Sequence, residues 1–76
     1  MDKRHEDSYK KLKFNITYIR KMQGLSQMQL AERIGISRTH MSNIEAPNMN
    51  TGISLEILFD IADTLGINIE KLFEIR

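Results

Sequence analysis

Residues 25–45 read LSQMQLAERIGISRTHMSNIE, and the fold turns on how this stretch divides. Leu30, Ala31 and Ile34 recur at helical spacing, and so do Met41 and Ile44. Ser26 stands before the first set and Ser37 before the second, each placed to cap a helix start. Gln29, three residues after Ser26, completes a capping box. Between the two sets lies Gly35, a residue that tolerates the positive φ of a sharp turn. Ala31, one turn before it, is small enough for the second helix to cross close to the first. Leu30, Ile34, Ile36, Met41 and Ile44 then make a shared apolar seam, and the outer face of the second helix is left free.

The same start signal recurs outside this stretch. An apolar residue, then Ser or Asn, then three residues and another apolar one also occurs at Ile53-Ser54 to Leu58 and at Ile67-Asn68 to Leu72. These signals divide the chain into five helices. The first is expected from about Ser8 to Gln23, with Tyr9, Leu12, Ile16 and Ile19 on one face and Gly24 closing it. The second covers about Gln27 to Ile34, and the third about Arg38 to Glu45, where Pro47 forbids continuation. Asn48 to Gly52 reads as a polar loop. The fourth runs from about Leu55 to Leu65, closed by Gly66, and a short fifth spans about Ile69 to Glu74. In the fourth helix the apolar residues spread over about 200° of the wheel, roughly twice what a surface helix needs. It therefore sits centrally or buries a second face against the fifth helix or another subunit.

Seventy-six residues suffice for one domain, 1–76, with residues 1–7 expected as a flexible polar tail. A core this small commonly relies on tight helix packing or a partner. Cysteine is absent, which removes disulfides, thiolate metal sites and thiol catalysis. Two histidines without cysteine make no plausible metal cage. His5-Glu6 lacks the second His of a zinc-protease helix, and neither Ser26 nor Ser37 fits a nucleophile elbow. Asn15-Ile16-Thr17 matches a glycosylation sequon but falls mid-helix and reads as accidental. No apolar run exceeds three residues, so no membrane span or secretory signal is expected and a cytoplasmic location is. No enzyme and no cofactor is implied. The formal charge of +1 is a sum of unlike ends. Residues 1–22 carry seven basic and three acidic groups, and residues 46–76 carry two basic and five acidic ones. That distribution matters more for binding than the total.

The segment Gln27–Glu45 resembles the helix-turn-helix of the lambda-repressor/Cro-like (Xre-type) DNA-binding proteins. Ile16, Ile19 and Arg20 before it, and Leu55, Leu58, Ala62, Leu65 and Gly66 after it, fit the same pattern, so the resemblance covers about residues 12 to 74. It implies an all-α, compact five-helix domain that binds a double-stranded DNA operator, commonly as a dimer, and regulates transcription. It also implies that Ser37, Arg38, Thr39 and Asn43 face the major groove, and that Gln27 holds a phosphate at the amino end of the second helix, with Ser26 assisting. Physical chemistry suits these roles. Arg pairs with two acceptors on guanine, Asn with adenine, and the Thr methyl packs on the thymine methyl. Helix-start amides form a ready anion site. Ser42 and His40 are expected at phosphates on the flank of the third helix. The resemblance further implies that Arg20 pairs with Glu45 and clamps the third helix to the first. One departure stands out: Ala46-Pro47 replaces the Asn or Arg and then Gly that follow the Glu in many relatives. Asn48, Asn50 or Thr51 can then take over the phosphate contact expected there.

Phe59, Ile69, Phe73 and Ile75 are more apolar surface than one small domain readily hides, and they are expected at a homodimer interface. Two recognition helices one DNA turn apart would read a palindromic operator. The role expected is that of a phage-type repressor or a restriction-modification controller. The alternatives are an antitoxin that represses its own synthesis and binds a toxin through the same patch, or a helical interaction module without DNA binding. A toxin or polymerase is the kind of further protein partner these readings allow.

Overall fold

In a computed structural model of the chain, describing residues 3–49 and 52–74, the two central helices form for local reasons. The Ser26 hydroxyl accepts from the Gln29 amide at 3.0 Å, and Gln29 Oε1 accepts from the Ser26 amide at 2.8 Å. Both arms of the capping box are thus closed, and α2 spans Gln27–Ile34. Gly35 follows at φ 79°, in the left-handed region, and the Ile36 amide turns back onto the Ala31 carbonyl at 3.0 Å. The Ser37 hydroxyl then accepts from the His40 amide at 3.0 Å and opens α3, Arg38–Glu45. Leu30, Ala31, Met41 and Ile44 are completely buried at the α2–α3 crossing, with Ile34 and Ile36 half-buried beside them.

Ahead of this pair lies α1, Glu6–Met22, and after it α4, Leu55–Leu65. Among the described residues the elements are these four α-helices, a 3-10 turn at Lys3–His5 and a 3-10 helix at Ile69–Phe73, with no strand. The core joins Leu12 and Ile16 of α1 to the α2–α3 seam, to Leu58, Ile61, Ala62 and Leu65 of α4, and to Leu72. No helix of the described residues is long and apolar enough to cross a membrane.

Three expectations change in detail. First, α1 begins at Glu6 rather than Ser8, and a 3-10 turn at Lys3–His5 leads into it. Glu6 and Asp7 complement the positive end of the helix, and Glu6 pairs with Lys10 one turn on, at 3.7 Å. Second, the fifth helix is of the 3-10 type and its Asn68 side chain makes no capping bond. The Lys71 amide reaches the Asn68 carbonyl three residues back, and the Leu72 and Glu74 carbonyls are taken by Asn15 Nδ2 from α1, at 2.9 and 2.7 Å. These bonds tie the end of the segment to α1. Third, α4 buries one face and leaves the other in the open, with Leu55 61% and Phe59 48% exposed.

Candidate nucleic-acid interface

The outward face of α3 is built from its register. With Met41, Ile44 and Glu45 directed inward, Arg38, Thr39 and His40 are exposed and Ser42 and Asn43 half-buried. Ser37 is exposed at the amino end, its hydroxyl oxygen engaged by the His40 amide. The first-turn amides of α3 and the Arg38 guanidinium together put positive charge at that end. Ser26 occupies the corresponding place on α2, exposed, with Gln27 half-buried next to it.

Behind this face is a polar network in the core. Arg20 Nε donates to Glu45 Oε2 at 2.7 Å and Nη2 to Glu45 Oε1 at 2.9 Å, a two-pronged ion pair. The third prong, Nη1, donates to the Leu25 carbonyl at 2.6 Å. Gln27 Nε2 adds a bond to Glu45 Oε1 at 3.1 Å. Arg20 and Glu45 are each only 6% exposed, so one carboxylate ties α1, the start of α2 and the end of α3 together out of water. Gln27 therefore faces inward with one amide hydrogen and keeps a second for any partner outside.

Two residues of this framework escaped the sequence reading. Lys13 is 1% exposed, and its ammonium donates to the Asn43 and Ile44 carbonyls at 3.2 and 3.0 Å. Burial pushes its pKa below the usual lysine value. Asn15, also 1% exposed, holds the C-terminal segment as described. Register offered the signal for both. Lys13 stands seven residues before Arg20, two turns along the same face, and Asn15 lies between Leu12 and Ile19 on the inner stripe.

The remaining candidates spread over the surface. Asn48 is exposed in the turn after Pro47, where the Met49 amide closes onto the Ala46 carbonyl at 3.2 Å. Asn50, Thr51 and Ile75 lie outside the described residues. Phe59 and Phe73 are 48% and 55% exposed, on the adjoining α4 and C-terminal 3-10 helix. Ile69 instead packs partly against the core. A further apolar feature lies on α1, where Phe14 and Tyr18 stack one turn apart with ring centres at 5.9 Å.

Residues 16–72 match the family model of the helix-turn-helix proteins HTH_3. Among solved structures, the hypothetical transcription factor NHTF from Neisseria superposes with a TM-score of 0.78 at 30% identity, over 91% of this chain and 75% of that one. Comparison with curated proteins returns no match. The chain belongs to the HTH_3 helix-turn-helix family, of the Xre/lambda-repressor-like kind, and is a DNA-binding transcriptional regulator.

Proposed function

We propose that the chain acts as a homodimer that reads a palindromic operator through α3, as a repressor of the phage or controller type. The observation that carries this reading is the contrast between the two sides of α3. Its inner side is locked by a buried carboxylate with three donors, while Arg38 and Thr39 stand exposed on the other. Arg38 and Thr39 would read bases from the first turn, with Ser37 at the helix start and Asn43 one turn on. Ser26, Gln27, Ser42, His40 and Asn48 would hold phosphates around them. Leu55 and Phe59 on α4 and Phe73 on the adjoining 3-10 helix supply exposed apolar side chains suited to a second copy.

Selection of bound sequences from random duplexes, followed by salt titration, tests the reading. A palindrome should emerge, with affinity falling steeply as salt rises. Arg38→Ala should cost about 1–3 kcal/mol of discrimination at the base it reads. The doubly substituted Arg38→Ala, Asn43→Ala protein should stay folded and lose the selected site. Enrichment of no motif would instead favour an interaction module. The exposed Leu55 and Phe59 side chains also suit the antitoxin alternative, in which a toxin covers them. A chain that is monomeric at high micromolar concentration would favour that reading over the homodimer.

A further inference from the structure

The four α-helices do not end alike. At the ends of α1, α2 and α4 a glycine takes a left-handed φ, and its amide and the next one fold back onto the last turn. The Gly24, Gly35 and Gly66 amides reach the Lys21, Glu32 and Asp63 carbonyls, and the Leu25, Ile36 and Ile67 amides reach those of Arg20, Ala31 and Ala62. This is the Schellman arrangement, which satisfies carbonyls a helix end otherwise leaves open. The recognition helix α3 cannot use it. The residue after Glu45 is Ala46, which stays extended at φ −69°, ψ 118°, and the next is Pro47, which has no amide hydrogen to send back. The carbonyl that the glycine amide would take in α3 is that of Asn43. In its place stands Lys13 Nζ, at 3.2 Å from the Asn43 carbonyl and 3.0 Å from that of Ile44. A cation is also the favoured charge at a helix carboxyl end, and α3 has no basic residue of its own in its last turn.

We propose that Lys13 is a positioning residue for DNA reading: it caps the recognition helix from another helix, in place of the glycine cap that Ala46-Pro47 removes, and so fixes the backbone that carries Asn43. The inference rests on the reading of α3 as the base-contacting element. Lys13 touches no base in this scheme. It acts through Asn43, whose carbonyl it holds while the side chain of the same residue faces the groove. Together with Arg20 it makes two cations from α1, two turns apart, that anchor the same end of α3 by its backbone and by its last side chain.

The test compares the wild-type chain with Lys13→Met, which keeps length and bulk but cannot donate, and with Lys13→Met carrying Ala46→Gly and Pro47→Asn, which restores a glycine and an amide for the ordinary cap. Three readouts are taken below each protein's unfolding transition: amide exchange in the last turn of α3, the sequence selected from random duplexes, and the salt dependence of binding. Lys13→Met should speed exchange at the last-turn amides, Ala46 among them. It should lower the ratio of specific to non-specific affinity about tenfold, the loss of roughly one base contact, with preference relaxed chiefly at the base Asn43 reads. The salt slope should stay unchanged, since no phosphate contact is removed. The triple variant should recover both the protection and the preference. If Lys13→Met does not fold, recovery of folding and of the motif by the triple variant supports the proposal, and failure to recover overturns it. Unchanged exchange and an unchanged motif in a folded Lys13→Met overturn it too. A wild-type chain that selects no motif overturns the DNA reading itself and the role of Lys13 in specificity with it.

Discussion

Glu45 accepts two hydrogen bonds from Arg20 and one from Gln27 while almost wholly buried. Removing one partner of such a pair leaves the other charge unpaired in the core, which is why Arg20→Ala is expected to cost about 3 kcal/mol. Equilibrium denaturation without DNA measures this, and a mutant as stable as the wild type would dissolve the clamp. Asn15→Ala should cost on the order of 1–3 kcal/mol, because the Leu72 and Glu74 carbonyls lose a buried donor. The loss should appear as faster exchange in the C-terminal segment. Lys13 brings a pH dependence whose sign follows from its burial. Its folded pKa lies below 10.5, so between that lowered value and 10.5 the unfolded chain binds more protons than the folded one. Stability from this group therefore rises with pH in that window, and below it the burial penalty on the charged form is fully present. The difference in unfolding free energy between wild type and Lys13→Met should move in favour of the wild type as pH climbs toward 10.5. Taking the difference cancels the tyrosines and the other lysines. A flat difference would mean an ordinary lysine.

At the scale of elements, the turn between α2 and α3 depends on one backbone angle. A Cβ at Gly35 would meet nothing within 4 Å, so Gly35→Ala tests φ alone. The left-handed conformation should cost about 1–2 kcal/mol, read as a lower denaturation midpoint at unchanged slope. What the sequence disclosed about elements follows the range of the forces involved. Ser26, Ser37 and Ser54 act on amides three residues ahead, and each bonds where its local pattern puts it. Asn68 has the same local pattern, yet no side-chain cap forms there: the Lys71 amide goes to the Asn68 main-chain carbonyl, and the segment is held instead by Asn15, 57 residues before Leu72 in the chain. Lys13 is the same case: its partners lie 30 and 31 residues on, and a lysine in isolation reads as solvated surface. Periodicity shows that Lys13 and Asn15 face inward, but not which distant carbonyls they bond. The outward face of α3 was legible because it is the complement of a seam that periodicity does show.

Over the whole molecule, basic groups gather in α1 and acidic ones in the C-terminal third, where Leu55, Phe59 and Phe73 are also exposed. If these apolar residues join two copies, Phe59→Glu should leave each copy folded and give a monomer by sedimentation. Affinity for a two-fold site should then fall about 100-fold, since linked half-site binding is lost. Dimeric mass in that variant would move the interface elsewhere. The shared carboxylate of Glu45 has one more consequence, for the heat of binding rather than for stability. Because α1, the start of α2 and the end of α3 are joined through it before any DNA arrives, the ordering of the reading head is completed during folding. Docking then has little chain left to freeze. The heat-capacity change on complex formation should be no larger than the contacted surface accounts for, without the excess that accompanies coupled folding, and helical circular dichroism of the protein should be the same free and bound.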